Sequence, residues 1–264
     1  MKTVKSKSIV LVGAGNVAWH LAQAFTAAGH QVVKVYSRSG TSGEELTNLL
    51  PFASPTTSLD FRNTAADIVL VAIPDSALIT VLEQLKVTPE TIVAHTSGSQ
   101  PLTVLSEIKG ARVGVFYPLQ TFSKAKPVEI LHVPILIEAD SKEVQLELEE
   151  LALSISSQVQ QIDSEARKQL HLAAVFACNF TNHLLGISQQ ILQESGLPKE
   201  LLHPLIKETI AKAMHQDPYS VQTGPAIRRD DNVLQAHVQM LQQHPTFQAL
   251  YQALTNSIQE SDQK

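Results

Sequence analysis

Short runs of apolar, mostly β-branched residues alternate with segments of helical period through roughly the first 160 positions of the chain. The runs fall at 8–12, 31–36, 67–73, 91–95, 111–116, 134–138 and 158–162. Most are apolar throughout rather than alternating, as strands covered on both faces of a parallel sheet require. After Asp163 the pattern changes, and 164–195, 199–216, 231–243 and 245–259 read as helices with no strand between them. The pattern therefore predicts an α/β domain over 1–162 and an all-helical domain over 163–264.

Composition agrees with that division. A chain of 264 residues is long enough for about two domains of the usual ~150 residues. It is 44% hydrophobic but only 17% charged, below the roughly 25% of an average globular chain, so disorder is excluded as its main state. Net charge is −5 and no run of Lys and Arg occurs beyond the first seven residues, which speaks against a nucleic-acid partner. The single cysteine, Cys178, allows no intramolecular disulfide and no cysteine-based zinc cluster, as expected for a cytoplasmic protein. Lys2, Lys5 and Lys7 before the apolar 9–12 run imitate a secretory signal, but Gly13, Gly15, Asn16, His20 and Gln23 interrupt the apolar core, so export is not expected. No stretch of ~18 apolar residues predicts a membrane span. The histidines lack ligand spacing, so no metal is expected.

The chemistry begins at Gly13-Ala14-Gly15-Asn16-Val17-Ala18, directly after the first strand and before the first helix. The first glycine permits a tight turn, and the second lets backbone approach a pyrophosphate. The small Ala18 lets helix pack on strand while the helix N-terminus faces the anion. At the end of the second strand, where a carboxylate would hold the ribose hydroxyls of NAD, the chain has Ser37-Arg38-Ser39. A guanidinium between hydroxyls suits the 2′-phosphate of NADP, the expected cofactor. Ile73 and Pro74 end the next strand and would shape the cofactor wall, with Asp75 favoured as a helix cap. Thr96, Ser97 and Gly98, after His95, are candidates to line the nicotinamide or substrate site, although such residues also form turns.

These motifs, with Tyr117-Pro118-Leu119-Gln120-Thr121-Phe122 and Thr223-Gly224-Pro225-Ala226-Ile227-Arg228-Arg229-Asp230, resemble the NADP-dependent oxidoreductases that join a Rossmann-like domain to a helical domain of unknown function. The likeness covers nearly the whole chain. Its wider relatives are 6-phosphogluconate dehydrogenase, 3-hydroxyisobutyrate dehydrogenase, ketopantoate reductase and pyrroline-5-carboxylate reductase. The resemblance implies an N-terminal Rossmann-type parallel sheet, a C-terminal helical domain contributing substrate contacts, and a homodimer formed through that domain. Two departures matter. Val175 precedes Asn179 by one turn where hydroxyacid dehydrogenase relatives carry a catalytic lysine, so a lysine mechanism does not transfer. Tyr117 and Arg229 stand where many members have histidine and glycine; these positions either tune substrate choice or are neutral, and Tyr117 is a candidate substrate contact.

On the long helix, at 100° per residue from His171, Asn182 falls at about 20°, Val175 at 40°, Lys168 at 60° and Asn179 at 80°. His171 is the expected proton donor, since a histidine's ordinary pKa of ~6.5 makes both protonation states available near neutrality. Asn179 and Asn182 would orient a carbonyl or imine; the alternative is a solvated polar stripe. Ala173, Phe176, Ala177, Phe180, Leu184 and Ile187 fall opposite, suited to helix packing or a dimer interface. Arg228 either binds a substrate carboxylate, oriented by Asp230, or lies on the surface while Asp230 caps the next helix. The expected function is NADP-dependent reduction of a carbonyl or imine on a small, carboxylate-bearing metabolite. The alternatives are a pyrroline-5-carboxylate-type imine reductase, a hydroxyacid dehydrogenase, or a non-catalytic NADP-binding sensor or assembly protein.

Overall fold

The computed structural model describes residues 5–108 and 110–261; Lys2 of the basic N-terminal group lies outside them. The first part of the chain runs β1 (Ser8–Val12), α1 (Asn16–Ala27), β2 (Gln31–Tyr36), α2 (Thr41–Thr47), β3 (Ser54–Thr56), β4 (Ile68–Val71), α3 (Asp75–Gln84), β5 (Ile92–His95) and β6 (Arg112–Pro118). It continues with β7 (Ile135–Ala139), α4 (Lys142–Leu153) and β8 (Val159–Gln161). Among the described residues these strands form one sheet in the order β3-β2-β1-β4-β5-β6-β7-β8.

The apolar runs reflect burial on both faces. Along β1, Ile9 and Leu11 join one core layer with Leu21, Phe25 and Leu148, while Val10 and Val12 join the other with Leu78, Leu82 and Val93. Two features depart from the expected parallel sheet. Strand β3, with Pro55 at the sheet edge, has too short a run to register as a pattern. Strand β7 runs antiparallel to β6, because the segment joining them has a short 3-10 turn at Ile130–His132 but no crossover helix to return the chain to a parallel start.

Beyond the sheet come α5 (Ser164–Ala174), a π-helical turn (Val175–Phe180), α6 (Thr181–Glu194), α7 (His203–His215), α8 (Asp231–Met240) and α9 (Pro245–Ser261). Asp163 caps α5 by accepting from the Ala166 N–H at 2.8 Å. The last strand ends where the expected boundary at 162 falls, but the chain divides into compact units within the long helical segment, between Cys178 and Asn179. Length and composition alone would let that segment, Ser164–Glu194, cross a membrane, which for a single helix does not make it a span. Its start is held in the sheet unit by the fully buried Arg167, which pairs with Glu138 of β7.

Candidate functional site

The strand order reverses between β1 and β4, and a cavity of about 600 Å³ opens at the carboxyl ends of these strands. Open α/β sheets bind ligands at such a reversal. Gly13 turns the chain there with φ +117°, and its N–H donates to the Tyr36 carbonyl at 2.9 Å. A Cβ on Gly13 would lie 2.2 Å from the Ala72 carbonyl oxygen, so no other residue fits. A Cβ on Gly15 would meet nothing within 4 Å, leaving the approach to the N-terminus of α1 open.

Of the expected cofactor residues, Gly13, Ala14, Gly15, Ser37, Arg38, Ser39, Ile73 and Pro74 line the cavity. Ala18 is instead buried in the core, where its size lets α1 lie against the sheet, and Val17 packs beside it. Asn16 accepts through Oδ1 from the Lys124 N–H at 3.3 Å. The Ser37 hydroxyl is buried and accepts from the Gly43 N–H at 3.0 Å, fastening the start of α2, whereas Arg38 is exposed at the rim. The wall formed by Ala72, Ile73, Pro74, Ala77 and Val81 is apolar, and no lining residue is a carboxylate. A base-sized apolar wall, an open glycine turn and a guanidinium beside hydroxyls fit a dinucleotide bearing a 2′-phosphate.

Asp75 is not the helix cap the sequence suggests. It is the first residue of α3, and its carboxylate accepts a hydrogen bond from the Ser99 hydroxyl. That bond joins the cavity wall to the next strand end. There His95 is fully buried, with Nδ1 accepting from the Ser97 N–H at 3.1 Å and Nε2 donating to the Pro101 carbonyl at 3.3 Å. Burial first, then the nearby Arg167 charge, pushes its pKa down to about 4. Ser97 Oγ accepts from the N–H groups of Ser99 and Gln100 at 3.1 and 3.0 Å, and Thr96 Oγ1 donates to Val71 O at 3.4 Å. Ser97 thus forms the turn, Thr96 ties it to β4, and neither is among the residues lining that cavity.

What this turn presents is Gly98. A Cβ there would stand 2.6 Å from His171 Nδ1 and 2.7 Å from Tyr117 Cζ, so the glycine makes room for those two side chains. Tyr117 at the end of β6 and His171 on α5 are hydrogen-bonded, Oη to Nδ1, at 3.0 Å. Burial raises the Tyr117 pKa and keeps the phenol protonated. Thus two expected site residues from distant parts of the sequence form one half-buried pair.

Sequence reasoning missed Arg167. Its guanidinium pairs with Glu138 and donates to the Gln100 carbonyl at 2.5 Å, while Ser164 Oγ donates to Glu138 and accepts from the Leu102 N–H. An arginine in the first turns of an amphipathic helix reads as surface, and nothing in its spacing marks it as buried. Asn179 and Asn182 lie in the second unit and are exposed. The π turn at Val175–Phe180 takes more residues per turn than the α-helix, so the angles of about 80° and 20° expected for them do not hold. Asp230 caps α8 through Oδ1, accepting from the Val233 N–H at 3.4 Å, and Arg228 is exposed. Among the described residues no group of three His, Cys, Asp or Glu could hold a metal ion.

Fold and cavity together define a Rossmann-type dinucleotide-binding protein with an appended helical unit. Residues 3–118 match a family model described as a Rossmann-like domain, and 133–258 match a domain of unknown function, DUF2520. A crystal structure from Bacteroides fragilis, described as a "putative NADP oxidoreductase", is 42% identical over 97% of this chain and 99% of that one, with a TM-score of 0.89. The chain belongs to the same family as that protein. A reductive aminase from Aspergillus terreus in complex with NADPH and ethyl levulinate is 14% identical over 97% and 94% of the chains (TM-score 0.69). Pyrroline-5-carboxylate reductase from Streptococcus pyogenes is 14% identical over 97% and 99% (TM-score 0.64). These two share the fold. No curated protein matches the chain by sequence.

Proposed function

We propose that this protein is an NADP-dependent oxidoreductase that reduces the carbonyl or imine carbon of a small metabolite. The observation carrying this reading is a hydrogen-bonded Tyr117–His171 pair in the same unit as the dinucleotide cavity, one strand beyond the turn that Ser99 ties to Asp75. Arg38, Ser39 and the glycine turn would hold the cofactor, and the absence of a lining carboxylate favours the 2′-phosphate form. Bound NADPH supplies a hydride, and the protein must then supply the proton for the carbonyl oxygen or imine nitrogen. The Tyr117 phenol and the His171 imidazole share a hydrogen bond, so a proton given up by one is replaced from the other. His95, held neutral, leaves that task to the pair. The names of the same-family protein and of the two fold relatives support an oxidoreductase. Val175 removes the lysine route of the hydroxyacid dehydrogenases, which by itself favours the non-catalytic alternative, so in this reading the proton falls to the tyrosine–histidine pair.

The test is a screen of α-ketoacids and cyclic imines for NADPH consumption, followed by Tyr117→Phe and His171→Ala on whichever substrate turns over. Each variant should lower kcat about 100-fold, within the range of general acid catalysis, while NADPH affinity stays near that of the parent. Unchanged kcat in both variants contradicts the role of the pair. Tight NADPH binding without turnover of any of these compounds would favour a non-catalytic nucleotide sensor.

A further inference from the structure

We propose that Lys124 is a second cation for the 2′-phosphate of the cofactor, delivered by the segment that follows β6 and held in reserve by Glu45. This rests on the NADP reading above. Lys124 belongs to none of the sheet or helix elements, yet it lines the same cavity as Arg38, Ser39 and Ser42. Its segment is fastened to α1 at three points. His20 Nε2 donates to the Ser123 carbonyl at 2.9 Å, and its ring stacks on Phe122 with centroids 5.1 Å apart. The Lys124 N–H donates to Asn16 Oδ1 at 3.3 Å. Held there, the lysine side chain crosses the face of Trp19, 4.6 Å from the ring centroid, and reaches Glu45 at 3.4 Å.

Glu45 lies on α2, the helix that follows Arg38 in the chain, so the ammonium group has already reached the element bordering the expected phosphate position. The pair with Glu45 is long and partly exposed, with side chains 33% and 57% accessible, which is the weak kind of ion pair. A phosphate carrying close to two negative charges and three acceptor oxygens is the stronger partner, so the lysine should exchange Glu45 for it on binding. The aromatic face of Trp19 supports the cation during the exchange. Glu45 therefore neutralises Lys124 while the site is free, and competes with the cofactor for it.

Calorimetric titration of the full chain with NADPH and with NADH, in parent, Lys124→Gln and Glu45→Gln proteins, tests the exchange. Lys124→Gln should weaken NADPH about tenfold and leave NADH unchanged. Glu45→Gln should tighten NADPH severalfold, because the competitor is gone, again without effect on NADH. Equal weakening of both nucleotides by Lys124→Gln would assign the lysine to the pyrophosphate and overturn the proposal, as would an unchanged NADPH affinity. If the parent protein itself shows no preference for NADPH, the NADP reading fails and this proposal falls with it; a preference equally present in parent and Lys124→Gln overturns the lysine role alone.

Discussion

His95 has both ring nitrogens occupied, one accepting from the Ser97 N–H and the other donating to the Pro101 carbonyl, so a proton added in the fold has no acceptor to meet. Its folded pKa of about 4 lies below the ~6.5 of an unfolded histidine. Between those values only the unfolded chain takes up the proton, so its contribution is complete above about pH 6.5 and is lost as pH falls toward 4. The gap corresponds to about 3 kcal/mol. Denaturant unfolding at a series of pH values should show this loss, and His95→Gln should flatten it. His30, also lowered by burial and then by Lys7, contributes in the same sense, so some slope survives the variant. An undiminished slope in His95→Gln would contradict the assignment. At this scale the sequence was legible where a residue's chemistry is nearly unique to its task. Gly13 admits no side chain, and Arg38 replaces the expected carboxylate. It was illegible where a polar side chain has a partner distant in sequence, as Asp75 has in Ser99 and Tyr117 has in His171.

Elements followed the pattern where both faces of a strand are buried, because an uninterrupted apolar run bounded by turn residues is what such a strand requires. Strands β1 and β2 begin and end where the runs do. The direction of β7 and the edge strand β3 depend on connections and neighbours that no local window contains. The π turn after α5 likewise arises within a stretch whose composition reads as ordinary helix. The start of α5 is fixed by Arg167, whose guanidinium links it to β7 through Glu138 and to the His95–Gln100 turn through a carbonyl. Removing one member of a buried pair leaves the other charge without compensation, so Arg167→Met should cost about 3 kcal/mol in denaturant unfolding. The double variant Arg167→Met, Glu138→Gln should recover much of that loss. A single variant as stable as the parent would show that the pair does not hold the helix.

For the whole molecule, the strand order, the glycine turn and Arg38 converge on one cavity, and the claim that this cavity takes NADP underlies the proposed reaction and the role of Lys124. Sequence made that convergence visible because Gly13–Gly15, Ser37–Ser39 and Ile73–Pro74 follow the carboxyl ends of β1, β2 and β4, the edge where open α/β sheets bind ligands. It could not show how far the helical unit shares in the chemistry, since only helical period and motif likeness point to Asn179, Asn182 and Arg228. The most direct test is the binding of NADPH and NADH to the parent protein and to Arg38→Ala. NADPH should bind at least about tenfold tighter than NADH, and Arg38→Ala should remove most of that difference, a change of about 1.4 kcal/mol or more. Binding of neither nucleotide, or NADH binding as tightly as NADPH, would contradict the account.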